Sequence, residues 1–156
     1  MKTIIIAAMT KEKHIIGKDN WLPWDIPEEL EKFRAFTKNN TVIMGRTTFE
    51  TLDSKPLPKR NNIIISTTLQ DTEGIEVARS IPEAVEKGKK HNKDIYIIGG
   101  AKVYSNSFEH ADYMYLSFIK KEYLGDTIFP EFDESLWNIE KREDYQEFEF
   151  VIYKKK

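Results

Sequence analysis

An acid set among apolar side chains is a natural place to look for chemistry, and Glu29 is such a residue. It belongs to residues 17–37, where a turn-rich stretch runs into a helical pattern. Asp25 fits an N-cap, Pro27 suits the first turn, and Glu28, three residues past Asp25, completes a capping box. At about 100° per residue, Ile26, Leu30, Phe33 and Thr37 share a face flanked by Phe36, while Glu28, Glu31, Lys32 and Ala35 point away. Glu29 falls on the apolar side, between Phe33 and Phe36, where an ionised carboxylate is costly unless it meets a donor or a cation. No Lys or Arg shares that face, which leaves a ligand as one candidate partner. The competing reading is a carboxylate that only complements the positive helix N-terminus. It explains Glu28 better than Glu29.

A second chemistry is written at three strand-to-helix junctions, each a strand, then small or polar residues, then a helix start. That construction directs free amides at an anion. Ile97-Ile98-Gly99-Gly100-Ala101 lets backbone approach a phosphate closely. Met44-Gly45-Arg46-Thr47-Thr48 adds a guanidinium, and Ile65-Ser66-Thr67-Thr68 adds hydroxyls. One Gly-Gly pair is more often a tight turn than a site, but three such ends in one small domain favour a phosphate-rich ligand such as a dinucleotide. No acid adjoins these junctions to claim a free ribose hydroxyl, so a 2′-phosphorylated dinucleotide is expected, with Arg46 as its fork. Neither G-x-G-x-x-G nor G-x-x-x-x-G-K-[ST] occurs.

Other chemistries find no support. His14, His91 and His110 lie in polar surroundings without metal-ligand spacing and read as surface residues. There is no G-x-S-x-G elbow, and Asp126 in Gly125-Asp126-Thr127 reads as a turn residue.

The elements that must position these residues alternate between short apolar runs and helical patterns, the signature of an α/β fold with a largely parallel sheet. Strands are predicted at residues 3–9, 41–44, 62–66, 75–78 and 94–98, with helices at 46–52, from Ser80 toward Lys90, and at 101–108. Ser80-Ile81-Pro82-Glu83 is a capping box with proline in the first turn. Residues 55–60 hold two prolines and read as an extended surface loop. Residues 113–119, 137–142 and 147–153 are aromatic-rich. The alternation of Phe148, Phe150 and Ile152 with Glu147, Glu149 and Val151 predicts antiparallel strands with one wetter face.

The chain of 156 residues fits one domain, with no linker or internal repeat. A net charge of −2 with interspersed signs argues against a nucleic-acid surface, and Lys154, Lys155 and Lys156 read as a solvated tail. Cysteine is absent, so neither disulfides nor thiolate chemistry enter. The apolar run at 4–9 is too short for a signal peptide, and no stretch approaches a membrane span, which leads to the expectation of a cytoplasmic protein.

In family order, the following pieces carry a resemblance: Ile6-Ala7-Ala8, Ile16-Gly17-Lys18-Asp19-Asn20, Leu22-Pro23-Trp24, Glu29, residues 42–50, Pro56-Leu57-Pro58 with Arg60, and residues 62–66. They continue with residues 97–101 and Tyr104, and end with Gly125-Asp126-Thr127 and Phe129-Pro130. On them the chain is similar, over nearly its whole length, to dihydrofolate reductases of the bacterial monomeric type. The resemblance implies a single-domain, three-layer α/β fold with a mostly parallel sheet of about eight strands and an antiparallel C-terminal edge. It implies hydride transfer from NADPH to C6 of 7,8-dihydrofolate with protonation of N5, in a monomer that binds neither nucleic acid nor membrane.

Under the same resemblance Glu29 would accept from pterin N3 and the 2-amino group, Ser117 would support it, and Trp24 would hold a water beside it. Ile6, Ala8, Leu30, Phe33, Leu52, Leu57 and Ile98, with Tyr104, would line the substrate pocket, and Arg60 would pair with the glutamate tail. The cofactor would meet Ala8, Ile16 and a mobile loop with Gly17, Asn20 and Trp21. Further along it would meet Gly45, Arg46, Thr47 and Thr48, then Ser66, Thr67 and Arg79. A cis Gly99–Gly100 bond would lie at the pyrophosphate, followed by Ala101, Lys102, Val103 and Tyr104, with Asp126 and Thr127 across from them.

The chain departs from the family at Glu29, where bacterial members usually carry Asp, at Ser117 for a usual Thr, and at Asp53-Ser54-Lys55 and Lys59, where a Gly-Arg pair and a Gly are common. It also has one residue inserted between Ala8 and Gly17. Two alternatives stay open. A riboflavin-pathway pyrimidine reductase of the same fold would lack both the helical carboxylate and the Arg60 tail site. A non-catalytic dinucleotide-binding module would have no reason to place an acid among aromatics.

Overall fold

The structure, a computed structural model, describes residues 1–18 and 22–156. Ten strands are described: Thr3–Thr10 (β1), Ile15–Gly17 (β2), Thr41–Gly45 (β3), Asn61–Ile65 (β4), Ile75–Ala78 (β5), Ile95–Ile97 (β6), Tyr113–Ile119 (β7), Thr127–Ile128 (β8), Trp137–Asp144 (β9) and Phe148–Lys155 (β10). Eight of them form one sheet in the order β5-β4-β3-β6-β1-β7-β10-β9. It is parallel as far as β7 and antiparallel over the last two strands. β1 and β3 are nearly continuous apolar runs because both their faces are covered, as inner parallel strands require.

Period-2 alternation sorts the core into two layers. Ile4, Ile6, Val42, Met44, Ile64 and Tyr96 face Pro27–Thr37 (α1) and Arg46–Thr51 (α2). Ile5, Ala7, Ile43, Ile63, Ile95 and Ile97 face Ile81–Lys89 (α3) and Ala101–Ser105 (α4). The capping of α3 is as read from sequence: Ser80 Oγ accepts from Glu83 N at 3.2 Å. The fold is therefore a single-domain α/β sandwich with helices on both faces and an antiparallel C-terminal edge.

Four expectations need correction. α1 is not capped by Asp25; its N-cap is Ile26, with no side-chain hydrogen bond. Pro27 forbids the α conformation to the residue before it, so Ile26 is held extended at φ −125°, ψ 94°, and Asp25 falls one position too early to cap. The 101–108 helix stops at Ser105 and resumes as a 3-10 turn at Phe108–His110. There the Ser107 hydroxyl donates to the Val103 carbonyl, a local bond that competes with the helical ladder. β10 has no wetter face: it lies between β7 and β9, and Val151 is as buried as Phe148 and Phe150. The wetter strand is instead the edge strand β9, exposed over most of its length after the buried Trp137.

The fourth is an omission, the two-stranded pair β2–β8. Asp126 N donates to Gly17 O at 3.0 Å, and Phe129 N to His14 O at 2.8 Å. Gly125 is packed so closely there that a Cβ would lie 2.2 Å from Ile15 Cγ2 and 2.5 Å from the Gly17 carbonyl. In the loop leading to Arg60, Asp53, Ser54 and Lys59 all adopt positive φ.

Candidate active site

One cleft of about 1570 Å³ runs across the carboxyl ends of β3, β4, β5 and β6 and along the middle of β1. This is where open α/β sheets bind ligands. It has two arms. In the first, Ile6 and Ala8 form the floor, Leu30 and Phe33 of α1 one wall, and Leu52, Leu57 and Ile98 the other, with Glu29 among them. Leu30 is 39% exposed although the wheel puts it on the apolar face, because that face borders the cleft rather than the core.

Glu29 is partly buried, and its carboxyl is pushed up from the ordinary 4.5 to about 7. Burial is the main cause, since desolvation penalises the charged form. It is opposed by the Ser117 hydroxyl, which donates to the carboxylate. Ser117 lies on β7, in register with Ala8 of β1 and Phe150 of β10, buried beneath the cleft. No cation is among the causes of the shift, in keeping with the wheel. A carboxyl that titrates near neutrality in an apolar pocket can accept two hydrogen bonds from a planar donor pair or exchange a proton with one.

Trp24 sits behind this arm, buried, its ring 5.9 Å from that of Tyr123. Its indole Nε1 is buried with no hydrogen-bond partner among the described residues, and Trp24 itself does not line the cleft. At the mouth, Arg60 is held by Nε to Thr37 Oγ1 (2.9 Å) and by a terminal nitrogen to Pro58 O (2.7 Å), leaving the rest of its fork free. Arg34 lines the same mouth and is close enough to depress the Arg60 pKa, after burial the larger cause. Arg34 was missed from the sequence; its signal is its place four residues after Leu30, one helical turn along the same edge.

The second arm is glycine-built. Gly45, Arg46, Thr47 and Thr48 meet Gly99, Gly100, Ala101, Lys102 and Val103 across the groove, and Gly45 N donates to Gly99 O at 2.9 Å. The Gly99–Gly100 peptide bond is cis. Gly99 has φ +124°, a conformation that favours glycine, and a Cβ on it would sit 3.3 Å from Tyr104 Oη; neither glycine puts a side chain into the cleft. Farther out, Ser66 and Thr67 are flanked by Arg46 and by Arg79, whose guanidinium is seated on the Ser66 and Leu69 carbonyls at 2.7 and 2.8 Å. An acid does adjoin this arm, contrary to the sequence reading: Glu50 Oε2 lies 4.0 Å from Arg46 Nε, one turn along α2.

Tyr104 joins the arms. It is buried, and its hydroxyl donates to Ile6 O at 2.8 Å. Ile16, Gly17 and Thr127 close the cleft from the β2–β8 side. Asp126 does not line it; Asp126 Oδ1 accepts from Thr127 Oγ1 at 2.9 Å, and its backbone serves the β2–β8 contact. Asn20 and Trp21 lie outside the described residues. His110, read as a surface residue, lines the far end of the cleft with Asn106 and Glu109.

An acid-tipped apolar pocket joined to a bare glycine groove with flanking guanidinia gives this α/β protein one cleft of two chemically distinct halves. The family model described as dihydrofolate reductase matches residues 2–155. The chain is 39% identical over 153 residues to the dihydrofolate reductase of Bacillus subtilis (strain 168), covering 91% of this chain and 88% of that one. It is 42% identical over 132 residues to that of Buchnera aphidicola subsp. Acyrthosiphon pisum, covering 85% and 81%. The structure of the Enterococcus faecalis dihydrofolate reductase complexed with NADP(H) and RAB-propyl superposes with a TM-score of 0.89 at 30% identity, over 99% of this chain and 96% of that one. This chain belongs to the dihydrofolate reductase family.

Proposed function

We propose that the protein reduces 7,8-dihydrofolate to 5,6,7,8-tetrahydrofolate with NADPH, by hydride transfer to pterin C6 and protonation of N5. The observation that carries this reading is Glu29, a carboxyl near neutrality inside an otherwise apolar arm. A pterin offers the donor pair this acid lacks within the chain: N3 and the 2-amino group lie side by side and suit the two oxygens of one carboxylate. Ser117 holds the acid in place from below, and the Trp24 indole N–H supplies a donor for a water beside it. Ile6, Leu30, Phe33 and Ile98 exclude bulk water from the ring. Arg60, with Arg34, supplies cations at the mouth for the glutamate tail.

The second arm fits the cofactor. Bare backbone at Gly99 and Gly100 suits a pyrophosphate, and Arg46, Arg79, Ser66 and Thr67 suit a 2′-phosphate. NADPH, when bound, supplies the hydride. The chain's own work is to set the two rings against each other and keep water out, and Tyr104 ties the floor of one arm to the helix of the other.

Glu29 and the Arg34–Arg60 mouth favour this reading over a pyrimidine reductase of the riboflavin pathway or a non-catalytic dinucleotide module. It includes a monomeric, cytoplasmic enzyme that supplies tetrahydrofolate for one-carbon transfer. The test is NADPH oxidation with dihydrofolate as acceptor, run beside a riboflavin-pathway pyrimidine. Turnover with the pyrimidine alone, or cofactor binding without turnover, selects the respective alternative.

A further inference from the structure

The sequence wheel sends Lys32 away from the apolar face of α1, but Lys32 is not a solvated lysine. Its Nζ lies 3.1 Å from Glu143 Oε1, 3.1 Å from Tyr145 Oη, and 4.4 Å from the centre of the Phe150 ring. Phe36, one turn along α1, stacks on that same ring at 5.5 Å. Phe150 is the register partner of Ser117, and the Ser117 hydroxyl holds Glu29, three residues before Lys32. The contacts close a circuit: from α1 to β10 through Lys32 and Phe36, from β10 to β7 through the ladder, and from β7 back to α1 through Ser117 and Glu29.

We propose that Lys32 is a positioning residue that fixes the roll of α1, so that the Glu29 carboxylate stays against Ser117 and aimed into the cleft. The helix needs such a point. Only Thr37 of its residues is fully buried, because its apolar side borders the cleft and gives it little core to grip. Thr37 is pinned by Arg60 at the far end, and Lys32 pins the turn that follows Glu29. A lysine held by a carboxylate, a phenol and an aromatic face has its direction set as well as its distance. The role is mechanical: the causes of the Glu29 shift are burial and the Ser117 hydroxyl, with no charge on Lys32 among them. The charged and titratable groups around Lys32 are Glu143 and Tyr145, with Lys141 3.6 Å from Glu143; Tyr104 is the one coupled to Glu29.

The activity half of the test rests on the dihydrofolate reading; the other half does not. The Glu29 carboxyl is titrated by carbon NMR in the full chain without ligand, and kcat and the KM values are measured, for Lys32→Met, Lys32→Arg and a control, Lys120→Met. The control removes a 2.7 Å ion pair to Asp144 and a 2.6 Å hydrogen bond to the Tyr145 carbonyl on the same hairpin, while leaving every side-chain contact of Lys32 in place. In Lys32→Met the Glu29 midpoint should fall by roughly one unit, because water reaching the acid relieves burial, the larger cause of the shift, by more than the loosened Ser117 bond raises it. Turnover at pH 7 should drop about three- to tenfold, with the KM for NADPH unchanged. Lys32→Arg, which keeps the cation and its carboxylate geometry, should restore both, and Lys120→Met should move neither. A Glu29 midpoint unchanged in Lys32→Met overturns the proposal whether or not the protein reduces dihydrofolate. Inactivity of the parent toward dihydrofolate counts against the functional reading alone. Should Lys32→Met fail to fold, Glu143→Gln carries the same test, and an unmoved midpoint there is equally fatal.

Discussion

Ser117 donates its hydroxyl to Glu29 across the gap between β7 and α1, and this one bond works against the burial that raises the carboxyl to about 7. The consequence for stability has a definite sign. Below the unfolded pKa near 4.5 both states are protonated and Glu29 costs nothing. As pH rises the unfolded chain releases its proton first, so stability is lost through that window and the full cost is present above about 7. The cost is on the order of 3 kcal/mol. Glu29→Gln should therefore be nearly as stable as the parent at pH 4 and more stable above pH 7, by up to about that amount. Urea unfolding of both chains from pH 4 to 9 measures it, and a pH-independent difference would show that the acid is not buried in its charged form.

For the cofactor arm, Arg46→Ala and Arg79→Ala should each weaken NADPH by about ten- to hundredfold, the loss of a charge-assisted hydrogen bond, and leave NADH nearly unchanged. Glu50→Gln should tighten NADPH, because it frees Arg46 from its exposed neighbour 4.0 Å away. Binding titrations with both cofactors decide it; equal losses for NADH would place the arginines on the pyrophosphate or in the scaffold.

At the mouth, Arg34→Ala should raise the KM for dihydrofolate with little change in kcat, and the effect should shrink as salt screens the pair. A dihydropteridine without the glutamate tail should not register the substitution. A matching rise in KM for the tail-less substrate would mean that Arg34 acts through α1 rather than on the tail.

Gly125→Ala should open the β2–β8 contact, since a Cβ has no room between Ile15 and the Gly17 carbonyl. We expect weaker NADPH retention and faster amide exchange at Asp126 and Phe129, whose N–H groups bond to Gly17 and His14. Exchange at parental rates would show that the pair tolerates the methyl group.

The strands most legible in the sequence are those buried on both faces, because continuous apolar runs such as residues 4–9 have few other uses. Glu29 was legible because a helix wheel exposes a carboxylate on the wrong side, and the Gly99–Gly100 junction because paired glycines after a buried strand are uncommon. The β2–β8 pair was not: its strands are three and two residues long, and their register is set by a packing contact at Gly125 from a distant part of the chain. Ser117 carried no local signal, since a serine inside an aromatic strand acquires its role only from the helix laid over it. Asp25 misled because the capping pattern ignores what Pro27 does to Ile26.

The most direct test of the central claim is the pH–rate profile for NADPH oxidation with dihydrofolate, parent against Glu29→Gln. A pterin held by this carboxylate requires robust parental turnover at neutral pH. It also requires a loss in Glu29→Gln of about a hundredfold or more at pH 7, with partial recovery at low pH, where solution protonates the substrate. Equal turnover of the two proteins at pH 7 would contradict the account and leave Glu29 a structural acid.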